Sequence, residues 1–332
     1  MYSLNKSILK DIGRVFRDLE LSEMNYRRPE FIINAELDTK ITMWLCLSAI
    51  CHNTRSLSGY IDATFYKGWD YLSTKFSYLA ETNPLFFEPS NLSMLISSEL
   101  KESLKDDRNN LSLENLDKRT DYLVDIGYIL MRDFDSDPCE IISQSNGFAI
   151  KPDGNGLYQL LEKFQAFQDP ERKKATIFLM LLNDSGTMKI KDIEHVEPIV
   201  DYHIMRGLLR TGAIVVEEDI HDILKSYKQI SPEIERNIRK ISKQAVRYIS
   251  NVSGKNVFQL NWLMWNLFRS CCYKELCCKK CQIINQKKNY CSFTASVQYI
   301  CGNKCPLSSV CLGAKRPEYS SLWEPLIDTD YY

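Results

Sequence analysis

An aspartate at the start of a basic helix is the first feature of this sequence that could do chemistry. Asp201 precedes His203, Arg206 and Arg210, which are spaced three and four residues apart. Residues at that spacing share one face of a helix, so the carboxylate would lie at the head of a basic face. We predict that Asp201 is catalytic and that the three basic side chains bind the substrate. The alternative is structural: Asp201 only caps the helix, and the basic face is solvated.

The neighbouring residues predict the helix that would hold this aspartate. Apolar side chains recur at helical spacing from Ile204 to Leu209, and Gly212 follows them. Aspartate is a preferred residue at a helix start, and glycine is a preferred residue just past a helix end. The sequence therefore predicts a short capped helix between Asp201 and Gly212.

Cysteine is the second residue type that could do chemistry. Nine of the twelve cysteines lie between Cys271 and Cys311. Several thiolates from short loops are what a tetrahedral zinc ion or an iron–sulfur cluster requires, whereas a disulfide framework is the weaker interpretation in a chain without a secretory signal. We expect a structural metal site in this segment. The candidate ligands are Cys272, Cys278, Cys281, Cys291, Cys301, Cys305 and Cys311.

Composition and charge are those of a globular protein with a basic C-terminal half. The chain has 332 residues, of which 44% are hydrophobic and 26% are charged. No apolar run has signal-peptide or membrane-spanning character, so we expect a cytoplasmic protein. Nine Lys and Arg accompany a single Glu between Trp262 and Arg316. This excess of positive charge favours a phosphate-backbone partner, with a solvated surface as the alternative.

Helical periodicity runs through the whole chain, and neither sustained strand alternation nor an internal repeat appears. We therefore predict an all-α fold. The Pro- and Gly-containing segment 151–156 is the clearest linker. It divides the chain into a predicted N-terminal helical lobe at residues 1–150, a catalytic helical lobe at 151–260, and a Cys-rich metal-binding loop with a C-terminal tail at 261–332.

The segment from Val200 to Gly212 resembles the helix-hairpin-helix base-excision DNA glycosylases, the endonuclease III and adenine-glycosylase group. The resemblance rests on Val-Asp-Tyr-His-Ile followed by two arginines and the glycine, with Tyr202 in place of the family's Thr. It implies two helical lobes with Asp201 as the catalytic carboxylate. It also implies a DNA partner. We further expect a monomer that does not bind membranes.

A second part of the resemblance lies upstream. Arg172, Lys173 and Ala175 match the end of the family's hairpin motif, although the hairpin glycines are absent here. In that family a lysine at this place forms a Schiff base, so Lys173 is the candidate nucleophile of an AP-lyase activity. Arg172 and Lys174 are candidate substrate contacts. His52 ends an apolar helix and could line a pocket, although a lone histidine there is more often structural.

The resembled glycosylases also carry a cluster loop after the catalytic helix. By this likeness a [4Fe–4S] cluster would be held by Cys272, Cys281, Cys305 and Cys311. A second set uses Cys301, Cys305 and Cys311 with one upstream cysteine and leaves other thiols for zinc. Zinc in place of the iron–sulfur cluster is the further alternative.

These patterns lead to three expected functions. The first is a DNA N-glycosylase that flips a damaged or modified nucleotide and cleaves its N-glycosidic bond, in repair or in phage defence. The second is an N-glycosidase that acts on a modified nucleoside or nucleotide, or on a hypermodified phage DNA base. The third is a metal-stapled module that binds nucleic acid without catalysis.

Overall fold

The computed structural model describes residues 2–23, 27–273, 276–278, 291–299 and 304–332. Helices dominate it, and the prediction of an all-α fold is confirmed. The α-helices are α1 Lys6–Arg17, α2 Leu37–Ile50, α3 Trp69–Thr82, α4 Pro89–Leu92, α5 Ser97–Leu104, α6 Leu116–Asp133, α7 Cys139–Ser145, α8 Leu157–Leu161, α9 Lys173–Asp184, α10 Tyr202–Thr211, α11 Glu218–Lys225, α12 Pro232–Ser253, α13 Val257–Cys271, α14 Ser292–Ser296 and α15 Pro317–Ser320. Two short antiparallel pairs complete the secondary structure: β1 Ser3–Leu4 with β4 Ile214–Val215, and β2 Ser58–Ile61 with β3 Thr64–Lys67.

The chain divides into two compact units. Unit 1 contains residues 1–25 and 197–328, and unit 2 contains residues 26–196 and 329–332. This division differs from the predicted boundaries at residues 150 and 260. The difference arises because the first helix packs on α12 and because the last four residues return to unit 2. Contacts between segments distant in sequence leave no mark on local composition.

Unit 1 is built around α10 and the helices that pack on it, α12 and α13. Asp201 caps the start of α10, and Gly212 ends it in the left-handed region at φ 75°. The predicted capped helix is therefore confirmed. A side chain at Gly207 would collide with the Phe268 ring of α13, so only glycine lets these two helices approach so closely.

Helix α12 of unit 1 is long and is capped at both ends. Ser231 accepts a hydrogen bond from the backbone N–H of Ile234, with Pro232 in the first turn, and Gly254 follows the last turn at φ 74°. Its apolar face packs against α1. Two of its charged residues, Glu235 and Arg239, are buried and lie 3.5 Å apart.

Unit 2 is organised around α2, which is buried on every face from Thr39 to Ile50 except at Lys40. Helices α6 and α9 pack against it. The C-terminal end of α2 leaves carbonyl groups without a partner inside the helix, and in the interior those groups need donors. The side chains that supply them belong to the candidate site described below.

Among the described helices, none combines the length and the apolar character that crossing a membrane would require.

Gly127 of α6 is expected to be essential for the packing of α6 on α4. A Cβ at this position would lie 2.5 Å from the carbonyl oxygen of Pro89 and would also clash with the amide of Ser93. Gly→Ala stabilises an open helix by up to about 1 kcal/mol. Here the backbone cannot move aside, so we expect Gly127→Ala to lower the free energy of unfolding by about 1–3 kcal/mol.

Urea unfolding of the wild type and the variant measures this loss. Asp121→Ala, at an exposed position on the same helix, is the control and should change the free energy of unfolding by less than about 0.5 kcal/mol. A Gly127→Ala protein as stable as the wild type would contradict the packing described here.

Candidate functional site

Asp201 lies where the sequence predicts it, at the start of α10. It is 8% exposed, and its Oδ1 atom accepts a hydrogen bond of 3.0 Å from the backbone N–H of Ile204. This bond fixes the orientation of the carboxylate relative to the helix axis. The N-terminal end of a helix favours a negative charge, so the local structure holds Asp201 as an oriented carboxylate.

Arg206 joins α10 to the C-terminal part of unit 1. Its Nη1 atom lies 2.7 Å from Oε2 of Glu324, and both side chains are buried. Its Nε donates to the carbonyl oxygen of Cys272 at 2.7 Å, and its Nη2 lies 2.9 Å from Nδ1 of His203. Breaking such a buried pair by removing one partner typically costs about 3–5 kcal/mol. This network therefore fixes the segment around Cys272 to α10.

Arg210 makes a parallel set of contacts one turn later. Its Nε donates to the carbonyl oxygen of Leu322 at 2.5 Å, and its Nη1 donates to the carbonyl oxygens of Cys272 at 3.1 Å and Tyr273 at 2.9 Å. The side chain is buried. In this arrangement the basic face of α10 holds unit 1 together, and a role of Arg206 and Arg210 in substrate binding stays a prediction.

The structure describes five of the seven predicted metal ligands; Cys281 and Cys301 lie outside the described residues. Cys272 follows α13 and places its Sγ 3.8 Å from Nη1 of Arg210. The thiol of Cys311 donates to the carbonyl oxygen of Arg210 at 3.6 Å. Burial raises the pKa of the Cys311 thiol to about 11 and that of Cys278 to about 12.

Cys271 and Cys277, which were not among the predicted ligands, lie at the centre of a group of thiols. The thiol of Cys271 is hydrogen-bonded to those of Cys277, Cys291 and Cys305, and these bonds raise its pKa. The same contact lowers the pKa of Cys291 to about 5. Backbone hydrogen bonds join Cys277 to Cys271 at 3.0 Å and Cys305 to Cys277 at 2.8 Å. Over the described ranges, no three His, Cys, Asp or Glu side chains are arranged to hold a metal ion.

A second group of predicted residues meets inside unit 2, where α9 begins. Lys173 is buried, and its Nζ lies 3.1 Å from Sγ of Cys51. Its backbone N–H, at the first residue of α9, donates to the Asp169 carboxylate at 3.1 Å. The next residue, Lys174, is 1% exposed and places its Nζ 4.5 Å from the centre of the Tyr122 ring.

Burial is the largest influence on the amine of Lys174. It lowers the pKa to about 7, and the positive charges of Lys173 and Arg119 act in the same direction. Cys51 and Asp330 oppose this shift. At neutral pH a substantial fraction of this amine is therefore uncharged, and the uncharged form is the one that acts as a base or a nucleophile.

His52 is buried beside the two lysines. Its Nε2 lies 3.6 Å from Oδ1 of Asp330, and its ring meets that of Tyr122 edge to face at 5.9 Å. Burial, followed by the charge of Lys174, lowers the pKa of His52 far below its usual range. The imidazole is therefore neutral at physiological pH.

Arg119 of α6 completes the group. Its guanidinium donates to the carbonyl oxygens of Ile50, His52 at 2.8 Å and Glu114 at 2.8 Å. It thereby satisfies the C-terminal end of α2 and holds the chain at His52. Sequence reasoning missed Arg119 because a single arginine within an amphipathic helix carries no signal of its burial.

The remaining predicted residue, Arg172, is not part of this group. Its guanidinium pairs with Glu162 at 2.9 Å and lies over the ring of Tyr158 at 4.7 Å. The structure thus brings His52, Lys173 and Lys174 together with Cys51 and Arg119, and we call these five residues the lysine cluster. Tyr122 and Asp330 border it. The contact between the Lys173 amine and the Cys51 sulfur, together with the lowered pKa of Lys174, is typical of an acid–base or nucleophilic site.

The pKa of Lys174 predicts that stability rises with pH above neutrality. Its pKa is about 7 in the folded protein, against an ordinary value of 10.5. Between these values the unfolded chain binds more protons than the folded one, so the free energy of unfolding increases with pH by at most about 1.4 kcal/mol per pH unit. Below pH 7 the cost of burying the charged amine is present in full.

Urea unfolding between pH 7 and pH 10 should show this rise in the wild type and a flatter dependence in Lys174→Met. Lys118→Met is the control, because Lys118 also lies against the Tyr122 ring, at 4.8 Å. It should retain the pH dependence of the wild type. A constant difference between wild type and Lys174→Met over this range would contradict the assignment.

Comparison with solved structures gives a match to an 8-oxoguanine DNA glycosylase from Pyrobaculum aerophilum, crystallised as a complex with 8-oxoguanosine. The two chains are 14% identical, the match covers 90% of this chain and 98% of the other, and the TM-score is 0.48. No curated protein matches the chain.

Comparison with protein families identifies a group different from the endonuclease III and adenine-glycosylase group. The family described as queuosine salvage protein matches residues 52–281, which is more than half of the chain. The matched region contains Asp201 and α10, and it contains every member of the lysine cluster except Cys51. With this match, the chain belongs to the queuosine salvage protein family.

Proposed function

We propose that this protein is an N-glycosidase that releases the base from queuosine, presented as a free nucleoside or nucleotide. The observation that carries the proposal is the family match over residues 52–281. This function corresponds to the second of the three expected from the sequence, an N-glycosidase acting on a modified nucleoside. Excision of a base from DNA becomes the alternative.

Two features of the chain favour a small substrate over duplex DNA. The hairpin glycines that let a backbone approach a DNA phosphate are absent before Lys173. In addition, Arg206 and Arg210, which were expected to contact DNA, are buried and donate to acceptors of the protein. Neither arginine presents its charge to solvent as a phosphate contact does.

The proposed reaction breaks the bond between the sugar C1′ and a nitrogen of the base. Water adds to C1′, the bonding electron pair leaves with the base, and the base takes up a proton. As that bond lengthens, the sugar becomes positively charged, and a carboxylate near C1′ stabilises it. We assign this role to Asp201, because the cap bond to Ile204 already fixes its orientation.

The lysine cluster of unit 2 concerns the AP-lyase activity of the alternative, in which a base is excised from DNA. The amine of Lys174, with a pKa of about 7, is partly uncharged at neutral pH, and the amine of Lys173 is held by Cys51. A Schiff base between a lysine and the sugar aldehyde, as in an AP-lyase reaction, requires an uncharged amine. We propose Lys174 as the stronger candidate than Lys173 for such a bond, on the strength of its depressed pKa.

The substrate is tested by separating the products by liquid chromatography and identifying them by mass spectrometry. The panel contains queuosine, its 5′-phosphate, guanosine, queuosine-containing tRNA, and duplex DNA carrying 8-oxoguanine. We expect base release from queuosine or its nucleotide and none from guanosine. Release from the DNA alone would overturn the proposal in favour of base excision.

Asp201→Asn separates the catalytic role of this residue from its capping role. Asn caps a helix about as well as Asp, so the free energy of unfolding should change by only about a few tenths of a kcal/mol. The negative charge is lost, and the rate of base release should fall by about two to three orders of magnitude.

The matched control is Asn256→Asp, the reverse exchange at the start of α13, where Asn256 accepts a hydrogen bond from Gln259 at 3.0 Å. That variant should keep the wild-type rate. Single-turnover base release and a melting curve are measured for all three proteins. If Asp201→Asn folds normally and works within about threefold of the wild type, Asp201 is only a cap.

We also propose that the cysteine segment binds a metal, with a [4Fe–4S] cluster preferred and zinc as the alternative. The proposal rests on the nine cysteines between Cys271 and Cys311 and on the convergence of the Cys271, Cys277, Cys291 and Cys305 thiols. The described thiols are hydrogen-bonded to one another and do not form a ligand set, so no step of the reaction is derived through a metal.

Protein purified without oxygen should be brown, with broad absorbance near about 400 nm and with bound iron, as is typical of iron–sulfur proteins. The measurement is an absorbance spectrum with elemental analysis for iron and zinc. Colourless protein with stoichiometric zinc would exclude the cluster, and protein with neither metal would exclude both sites.

A further inference from the structure

The last four residues of the chain leave unit 1 and return to unit 2. Residues 197–328 belong to unit 1, whereas residues 329–332 belong to unit 2. In unit 2 the tail reaches the lysine cluster. The hydroxyl of Tyr122 donates to Oδ2 of Asp330 at 3.2 Å, and Oδ1 of the same carboxylate lies 3.6 Å from Nε2 of His52. Tyr332, at the end of the chain, is buried.

Several positive charges surround Lys174, close to the Asp330 carboxylate. Lys173 lies beside it on α9, Arg119 and Tyr122 lie on α6, and Cys51 and His52 follow α2. With Lys174 itself, three of the groups are basic, namely Lys173, Lys174 and Arg119, and His52 is kept neutral by its surroundings. Burying several like charges without a counter-ion is strongly unfavourable.

The five residues of the lysine cluster include no carboxylate. Arg119 donates to three backbone carbonyl groups, which are neutral, and Lys173 contacts the Cys51 sulfur. The Cys51 sulfur and, after it, the Asp330 carboxylate interact with both Lys174 and Arg119 and favour their charged forms. Glu114, which precedes α6, also favours the charged form of Arg119. Residues 329–332 thus bring one carboxylate, that of Asp330, close to the positive charges of the lysine cluster.

We propose that residues 329–332 are a working part of the lysine cluster and that the Asp330 carboxylate is the counter-ion that keeps Lys174 in place in its charged form. The cluster is then a binding site for a carboxylate, and the Asp330 side chain occupies it. Asp330 acts through Lys174 and is a positioning residue. The carboxylate is 31% exposed, so a small carboxylate from solvent can reach the same place when the side chain is shortened.

Asp330→Asn tests the proposal through thermal stability. We expect a fall in Tm of at least about 3 °C at pH 6, where Lys174 is charged, and a smaller fall at pH 9, where it is largely neutral. Asp328→Asn, an exposed acid two residues earlier, is the control and should not change Tm at either pH. In Lys174→Met, the change Asp330→Asn should have less effect than in the wild type, because the charge that Asp330 is proposed to balance is gone.

Chemical rescue supplies a readout that packing alone does not affect. Sodium formate added to Asp330→Gly should raise its Tm toward the wild-type value, and sodium chloride at equal ionic strength should not. Asp330→Glu should retain most of the wild-type behaviour. If Asp330→Gly does not fold, a chain ending at residue 328 is tested in the same way with formate and with chloride.

Equal effects of Asp330→Asn at both pH values, or no response to formate, would overturn the proposal. A truncated chain that gains stability, or releases base faster than the full chain, would also overturn it and would make the tail an obstruction. Because the main readouts are Tm and rescue, they do not depend on the proposed glycosidase activity. Failure to release a base from queuosine would reject the proposed function and leave this inference standing.

Discussion

Buried positive charge is the constraint on which the rest of this structure depends. In unit 1 it is carried by Arg206 and Arg210, and in unit 2 by Arg119, Lys173 and Lys174. A charged group removed from water without partners costs several kcal/mol, so each of these side chains dictates where acceptors must lie. That requirement accounts for the buried Glu324 beside α10, the carbonyl groups at the end of α2, and the Asp330 carboxylate at the end of the chain.

Local chemistry made the start of the candidate site predictable. A good cap at Asp201, apolar residues at helical spacing and a glycine at the end specify α10 within a few residues, because the contacts that form a capped helix lie within one or two turns. The all-α fold followed for the same reason. The sequence also brought out Lys173, Lys174 and His52 as candidates, and they do meet in unit 2.

Long-range partners were not predictable from the pattern. The Arg119 side chain contacts the carbonyl of His52, 67 residues away, and Tyr122 contacts Asp330, 208 residues away. Nothing in a single sequence connects such positions. The same limit applies to the basic face of α10, which resembles a solvated or DNA-binding face until the position of Glu324 is known, 118 residues beyond Arg206. The division into units depends on such contacts too.

The family match ends at residue 281, before Cys291, Cys305, Cys311 and the tail that carries Asp330. Asp201 and nearly all of the lysine cluster lie within the match. The proposed chemistry therefore rests on the shared part of the chain, whereas the cysteine segment and the tail must be understood from the contacts they make here. Cys272 of the first contacts the buried Arg210, and Asp330 of the second contacts the buried Tyr122 and His52.

The most direct measurement of the central claim is the fate of the oxygen atom of water during the reaction. Queuosine is incubated with the protein in water enriched in oxygen-18. The released sugar is reduced with borohydride at once, before its C1′ oxygen exchanges with the solvent, and the base and the reduced sugar are analysed by mass spectrometry. Hydrolysis of the N-glycosidic bond predicts one heavy oxygen in the sugar, at C1′, and none in the base. Heavy oxygen in the base, or recovery of queuosine unchanged, would contradict the account.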